Sequence, residues 1–252
     1  MRIALISDIH ANLPALEAVL ADIDARVDTA ATYHLGDLVG YAPWPNETVA
    51  VVRAAGIPGI AGNYDWTVAT DYKHCGCRYE DPQQESLSHE SFAWTKANVS
   101  SETKRFLGAL PFRLDIRAHG GHTSGPSVIL VHGSNVLNTV YVTEDRPNSF
   151  LEKMAEGLGA RPGDVVCYGH THAAWQRTVN GVHFVNTGSV GRPKDGDPRA
   201  GYVRLTVEAE SVRTEIVRVA YDVERAARAI LASSLPAEFA AFLLTGGATV
   251  RV

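Results

Sequence analysis

Cysteine is scarce in this chain. Its 252 residues include three cysteines, and an odd number without regular spacing does not build the disulfide framework of a small secreted protein. Cys75 and Cys77 lie close together in a polar stretch. No second cysteine pair exists to complete a zinc site, so two reduced thiols in a loop are expected rather than a soft-metal or redox site.

Long apolar runs are also missing. The first one, at residues 3–6, is too short for a signal peptide and is followed at once by Asp8 and His10. No other stretch approaches the length of a membrane span. These absences predict a soluble, cytoplasmic protein without a membrane partner.

An excess of basic residues is missing as well. The formal net charge is -5 and no basic block stands out, which argues against nucleic acid as a stable partner. Hydrophobic residues make up 45% of the chain, enough for a substantial core. No repeat or linker divides the sequence, so a single domain over residues 1–252 is expected, and the oligomeric state is left open, a homo-oligomer included.

Strands and helices alternate in the first third of the chain. Short apolar runs predict strands at residues 3–6, 30–35 and 57–61, and helical apolar spacing predicts helices at residues 13–27 and 46–55. This order is typical of parallel βαβ units. The rest is mixed, with helices predicted at residues 83–98, 101–110 and 222–231 and strands at residues 112–118, 127–131, 165–168, 174–179, 182–186, 202–207 and 212–219.

Polar residues that can bind metal follow the ends of five predicted strands. They are Asp8, His10, Asp37, Asn63, Asp65, His132, His170 and His172. Ligands of open α/β sheets bind beyond the carboxyl ends of the strands, and alternate residues leaving a strand project to the same side. Imidazole, carboxylate and carboxamide ligands favour Mn, Fe, Zn, Ni or Co over Mg or Ca.

Each of these motifs has a simpler interpretation when taken alone. The Asp8 motif resembles a capped loop start, the Asp37 and Asn63 motifs resemble turns, and His132 resembles a half-buried histidine. His34, inside a predicted strand, is expected to be a hydrogen-bonded core residue. All five motifs in this order favour a metal site.

Together the motifs resemble the five blocks of the calcineurin-like metallophosphoesterases, and most closely the small bacterial and archaeal branch of that superfamily. They are Asp8-x-His10, Gly36-Asp37-x-x-Gly40, Gly62-Asn63-x-Asp65, Val131-His132-Gly133 and Gly169-His170-Thr171-His172. The resemblance spans roughly residues 1–207. It implies a four-layer α/β/β/α sandwich in which two mixed β-sheets are flanked by helices.

The resemblance also implies two divalent transition-metal ions and their ligands. Asp8, His10 and His172 would hold one ion, while Asn63, His132 and His170 would hold the other, with Asp37 as the bridge. Paired ions of this kind activate a bridging hydroxide for in-line attack on phosphorus. A small-molecule phosphomonoester or phosphodiester is therefore the expected substrate, and the alternative is a protein-interaction scaffold of the same fold without significant catalysis.

Tyr64 departs from the family pattern. Relatives carry a histidine after the Gly-Asn pair, oriented by the following acid, and that histidine is thought to protonate the leaving group. Here Asp65 remains, but its partner is a phenol, which is a weaker acid than an imidazolium. The polar insertion at residues 73–84 is a candidate rim of the pocket, and the positive charges of Arg192, Lys194 and Arg199 are expected to be solvated loop charges rather than a second phosphate site.

Overall fold

The computed structural model describes residues 1–77, 81–117, 125–208 and 211–248. Within these ranges the chain forms nine strands and eight helices. In chain order they are β1 (Arg2–Ile6), α1 (Leu13–Ala25), β2 (Ala31–His34), α2 (Pro45–Ala54), α3 (Asn63–Ala69), α4 (Pro82–Asn98), α5 (Ser101–Gly108), β3 (Arg113–Arg117), β4 (Ser127–Val131), α6 (Asn148–Leu158), β5 (Val165–Tyr168), β6 (Trp175–Val179), β7 (Val182–Asn186), β8 (Ala200–Val207), β9 (Val212–Val219), α7 (Val223–Leu231) and α8 (Glu238–Leu244).

The strands form two sheets, and both sheets are mixed. The first has the order β2-β1-β8-β9, with β1 parallel to β2 and antiparallel to β8. The second has the order β3-β4-β5-β7-β6, with β4, β5 and β7 parallel to one another and an antiparallel strand at each edge. Parallel central strands bring their carboxyl ends to one edge of each sheet.

The two sheets pack face to face. Alternate residues of a strand point to opposite sides, so each strand can contact the other sheet with one face and the helices with the other. Ile3 and Leu5 of β1 share an apolar cluster with Val128 and Leu130 of β4. Ala4, on the other face of β1, belongs to a second cluster that contains residues of α1, α2, α7 and α8.

A third cluster packs α6 against the outer face of the second sheet. The predicted four-layer α/β/β/α architecture is confirmed. Among the described residues, no helix has both the length and the apolar character needed to cross a membrane.

The strand predicted at residues 57–61 is wrong. The described chain has only one parallel bridge there, between His34 and Gly59. Pro58 has no N–H to donate to a ladder. Gly59 lies so close to His34 that a Cβ on Gly59 would be 2.4 Å from the imidazole ring.

His34 itself is buried, as expected, but it is not hydrogen-bonded through its ring. Neither ring nitrogen has a hydrogen-bond partner within the described part of the chain. Burial lowers the pKa of His34 to about 4, so the ring is neutral at neutral pH. The neutral side chain therefore only packs against the loop at residues 57–61.

Three of the helices, α3, α6 and α8, were not predicted from the sequence. α3 starts in the Gly-Asn motif that resembles a turn, yet Asp65 caps it by accepting hydrogen bonds from backbone amides. α6 has a clear signal, since buried residues recur at Leu151, Met154, Ala155 and Leu158 with helical spacing. α8 is only 7 residues long, which is too short for a strong periodic signal.

Candidate metal centre

The polar residues at the strand ends come together in two adjoining groups. One group is Asp8, His10 and His172, and the other is Asp37, His132 and His170. Within each group the potential ligand atoms lie within 4.8 Å of one another. All six residues are at most 4% exposed. The first group joins loops of both sheets, since Asp8 and His10 follow β1 whereas His172 follows β5.

Asp37 belongs to the second group but also faces the first. Its Oδ2 atom is 3.8 Å from Nε2 of His10 and 3.4 Å from Nε2 of His132. Its other oxygen, Oδ1, accepts a hydrogen bond of 2.8 Å from the backbone amide of Tyr64. One carboxylate oxygen is thus held by the protein while the other faces both groups, which is the arrangement that a bridging ligand requires.

Backbone carbonyl groups orient the imidazole rings. A carbonyl oxygen can only accept, so each Nδ1 that contacts one carries a proton, and Nε2 is the nitrogen that faces the centre. The contacts are His10 Nδ1 to Val39 O at 3.1 Å, His132 Nδ1 to Leu35 O at 2.7 Å and His172 Nδ1 to Arg192 O at 2.7 Å. Nε2 of His10 and Nε2 of His172 are then only 3.0 Å apart, both aimed at the same place.

Two buried ligand atoms have no hydrogen-bond partner in the described residues. They are Oδ1 of Asp8 and Nε2 of His170. The other oxygen of Asp8 accepts from the Ser7 hydroxyl at 2.6 Å and from the His170 amide at 3.0 Å. An unsatisfied buried polar atom costs roughly 1–3 kcal/mol, and a coordinated cation removes that cost. These donor atoms fit a divalent transition metal.

The electrostatic environment keeps most of these imidazoles neutral. Burial lowers the pKa of His10 to about 3 and lowers the pKa of His170 and His172 well below the ordinary value. Burial also acts to lower the pKa of His132, but the charge and hydrogen bond of Asp37 outweigh it and raise that pKa to about 9. The carboxylate of Asp37 therefore favours a positive charge next to His132.

Asn63 lies beside the second group. Its Nδ2 atom donates to the carbonyl of Cys75 at 3.1 Å and to Sγ of Cys77 at 3.3 Å. This leaves Oδ1 turned inward, 3.1 Å from Nε2 of His132. No disulfide joins the two cysteines. The loop at residues 75–77 thereby orients the Asn63 amide so that its oxygen faces the centre.

Five of these residues adopt a left-handed backbone. The φ angles are 51° for Asp8, 49° for His10, 53° for Asp37, 65° for His170 and 61° for His172. Left-handed φ is uncommon for residues with a Cβ, and each such residue costs about 1–3 kcal/mol unless the surroundings impose it. Backbone hydrogen bonds between the loops impose it here, among them His10 N to Asp37 O at 2.9 Å and Gly191 N to Asp8 O at 3.0 Å.

Asp65 connects two of the loops. Its Oδ1 atom accepts from the Leu38 amide at 2.9 Å and its Oδ2 atom accepts from the Gly62 amide at 3.0 Å. The carboxylate of Asp65 thus binds one backbone amide in each of the two loops. Burial raises the pKa of Asp65 to about 7, helped by the nearby charge of Asp37.

Tyr64 lies beside the first group. It is 1% exposed, and its ring packs edge-on against His10 at 5.6 Å and against Phe92 at 5.7 Å between ring centres. Gly40 makes room for it, because a Cβ on Gly40 would be 2.6 Å from the Tyr64 ring. Tyr64 also borders the cavity above the centre.

A cavity of about 980 Å³ opens above the centre. Cys77, Asp81 and Gln84 from the insertion at residues 73–84 line it, while residues 78–80 of that insertion lie outside the described residues. Besides residues of the motifs, the lining includes Tyr41, Tyr141, Arg192, Lys194, Phe239 and Phe242. The sequence motifs did not point to Tyr141, Phe239 and Phe242.

The three cations expected to be solvated loop charges behave differently from one another. Arg192 is only 8% exposed and lines the cavity, so the expectation is wrong for it. Lys194 is an exposed residue overall but lines the same cavity. Arg199 is exposed and its guanidinium binds Asp197 at 2.7 Å, in agreement with the expectation. The three residues differ in where the fold places them, since Arg192 and Lys194 line the cavity and Arg199 does not.

Two mixed sheets with a histidine–carboxylate centre at their strand ends define a protein of the metallophosphoesterase fold. The Calcineurin-like phosphoesterase superfamily domain matches residues 1–210. A Methanocaldococcus jannaschii protein described as uncharacterized is 30% identical over 257 residues, covering 93% of each chain. This chain therefore belongs to the calcineurin-like phosphoesterase superfamily.

Solved structures agree with this assignment. A metallophosphoesterase from Sphaerobacter thermophilus matches 98% of this chain and 100% of its own, with 28% identity and a TM-score of 0.75. A hypothetical protein from Pyrococcus horikoshii matches 98% of this chain and 99% of its own, with 22% identity and a TM-score of 0.81, and shares the fold.

The close approach of two loops at Gly36 yields a test of the centre. A Cβ on Gly36 would lie 2.2 Å from the backbone nitrogen of Gly62, whereas a Cβ on Gly56 would meet nothing within 4 Å. Both glycines have positive φ, 91° and 62°. Gly36→Ala should force the loops carrying Asp37 and Asn63 apart and weaken metal binding by about 10-fold or more, the range seen when the support of metal ligands is removed.

Gly56→Ala is the matched control, since it carries only the left-handed backbone cost of about 1–2 kcal/mol. Metal titration and urea unfolding of both variants measure the difference. Equal effects of the two substitutions would show that the approach of the loops does not matter for the centre.

Proposed function

We propose that this protein is a phosphoesterase that uses two divalent transition-metal ions to hydrolyse a phosphomonoester or phosphodiester of a small molecule. The observation that carries the proposal is the position of Asp37, whose Oδ2 atom faces His10 on one side and His132 on the other. A shared carboxylate oxygen is the feature that distinguishes a paired site from two separate ones.

The ligand assignment follows from the two groups. Asp8, His10 and His172 would hold one ion. Asn63, His132 and His170 would hold the other, and Asp37 would be common to both. The nitrogen and oxygen donors suit Mn, Fe, Zn, Ni or Co. Two such ions lower the pKa of bound water and stabilise the attacking and leaving oxygens of an in-line displacement.

The protein contributes orientation and charge. Carbonyl groups hold the rings of His10, His132 and His172 with Nε2 facing inward, so little reorganisation accompanies binding. Two divalent ions would carry four positive charges, and the carboxylates of Asp8 and Asp37 would neutralise two of them. The remaining positive charge favours a phosphate dianion in the cavity above the centre.

Metal content tests the paired site. The purified protein should bind two transition-metal ions per chain, and a chelator should abolish hydrolysis of an activated aryl phosphate, because every proposed ligand converges on those ions. Elemental analysis after metal loading and a phosphatase assay measure the two results. One ion or none would contradict the proposal, and two ions without hydrolysis of any ester would favour the scaffold alternative.

Substitutions of two nearby aspartates test the bridge. Asp37→Ala removes the shared ligand and should lower kcat by about 1,000-fold, since metal stabilisation of the transition state is worth several kcal/mol. Asp65→Ala removes only the support of the two loops and should lower activity by about 10–100-fold, together with the unfolding midpoint. Equal activity losses in the two variants, with metal content preserved, would mean that the bridge is misassigned.

Tyr64 is proposed to stand where relatives have a general acid. A phenol protonates a leaving oxygen poorly at neutral pH, so the enzyme should prefer good leaving groups such as aryl esters and phosphoanhydrides. Tyr64→His, with Asp65 beside it, should raise turnover of alkyl phosphates towards the roughly 10²–10⁴-fold worth of general-acid catalysis and change aryl phosphates little.

Steady-state kinetics on one alkyl and one aryl ester measures this effect. Tyr64→Phe keeps the ring packing against His10 and Phe92 and serves as the control. An alkyl-to-aryl ratio that Tyr64→His leaves unchanged, with both metals bound, would exclude a general-acid role at this position.

A further inference from the structure

Arg192 is a buried cation beside the proposed metal centre. Its guanidinium carbon lies 4.1 Å from the ring centre of Tyr41 and 3.9 Å from that of Phe242, with Phe239 at 5.6 Å. Stacking of this kind holds the plane of the group and leaves its N–H edge available for hydrogen bonds. The side chain is therefore oriented before any ligand arrives.

The guanidinium of Arg192 has no ion-pair partner in the part of the chain that the structure describes. Within the described ranges, no carboxylate oxygen lies within the 4.0 Å of an ion pair from Arg192 or Lys194. Two other arginines are paired, since Arg199 binds Asp197 and Arg218 binds Asp195. Burying a charge without a partner is costly, so an unpaired guanidinium in a cavity indicates a site for an anion.

The position of Arg192 is tied to the centre itself. Its backbone carbonyl accepts the hydrogen bond from Nδ1 of His172, at 2.7 Å. Arg192 and Lys194 line the same cavity as His10 and His172. Two like charges thus face the cavity next to the first group of ligands.

The aromatic rings that hold Arg192 come partly from outside the family domain. That domain ends at residue 210, whereas Phe239 and Phe242 belong to α8. Both rings line the cavity. The segment after the domain therefore adds a side to the cavity that the metal centre does not need, which points to a role in the choice of substrate.

We propose that Arg192 and Lys194 bind a second phosphate group of the substrate, adjacent to the phosphate that reacts at the metal centre. The substrate class is then a phosphoanhydride or diphosphate ester rather than a simple monoester. Two cations suit the double charge of a phosphate better than the single charge of a carboxylate. The inference rests on the proposed function.

Inhibition by small phosphonates tests this subsite. Methylphosphonate offers one phosphonate group, methylenediphosphonate offers two, and phosphonoacetate offers one phosphonate and one carboxylate. With saturating metal, methylenediphosphonate should inhibit hydrolysis of an aryl phosphate at a concentration about 10-fold or more below that of methylphosphonate, as expected for one charge-assisted contact. Arg192→Gln should remove most of this advantage.

Arg199→Gln is the matched control, because Arg199 lies seven positions further along the chain and outside the cavity. It should leave the advantage unchanged. Lys194→Gln is a second test variant at an exposed position, in case Arg192→Gln does not fold, and should reduce the advantage several-fold.

The outcomes separate the two proposals. If Arg192→Gln weakens all three inhibitors equally, Arg192 contacts the reacting phosphate and the second subsite is wrong. If phosphonoacetate inhibits as well as methylenediphosphonate, the second group is not specifically a phosphate. A parent protein that hydrolyses no ester contradicts the proposed function itself, whereas an active parent whose inhibitor preference ignores Arg192→Gln contradicts only the subsite.

Discussion

The carboxylate of Asp37 is the point on which the rest of the centre depends. Its two oxygens have different surroundings, since Oδ1 is held by the backbone amide of Tyr64 while Oδ2 faces histidines of both groups. Asp37 can bind the Tyr64 amide and face both groups of histidines only if the loop after β2 contacts the start of α3. The absence of side chains on Gly36 and Gly62 permits that contact, because a Cβ on Gly62 would lie 2.0 Å from Oδ1 of Asp37.

This geometry is maintained at an energetic cost. Five strand-end residues have a left-handed backbone, and buried polar atoms of Asp8 and His170 have no partner in the described residues. The two packed sheets and the hydrogen bonds between loops supply the stability that offsets these costs. Strain concentrated at one edge of an otherwise regular sandwich is typical of a functional site, where a ligand restores part of the lost energy.

The cavity combines residues from distant parts of the sequence. Tyr41 comes from the loop between β2 and α2, Tyr64 from the start of α3, Cys77 and Gln84 from the insertion, and Phe242 from α8. The two groups of metal-ligand candidates lie within the domain that matches residues 1–210, whereas Phe239 and Phe242 of the cavity wall belong to α8, after that domain.

The amino-acid sequence by itself was sufficient for the fold class and for the residues that converge at the strand ends. Four of the five motifs are local: a strand is followed by a turn that carries Asp or His, and parallel strands bring such turns to one edge. The fifth motif, at Asn63, follows no strand and starts α3 instead. Helix α6 carried a readable periodic signal as well, but the short α8 and the capped start of α3 did not.

Only the tertiary structure decided how the side chains are used. That Asp65 holds the amides of Leu38 and Gly62, and that Cys77 orients Asn63, depends on contacts between segments without a shared local pattern. The difference between Arg192 and Arg199 has the same origin. Both are arginines of one loop, but packing against Tyr41 and Phe242 buries the first, while an adjacent aspartate pairs with the second. Burial and pairing arise from neighbours in space, and the order of residues along the chain does not specify those neighbours.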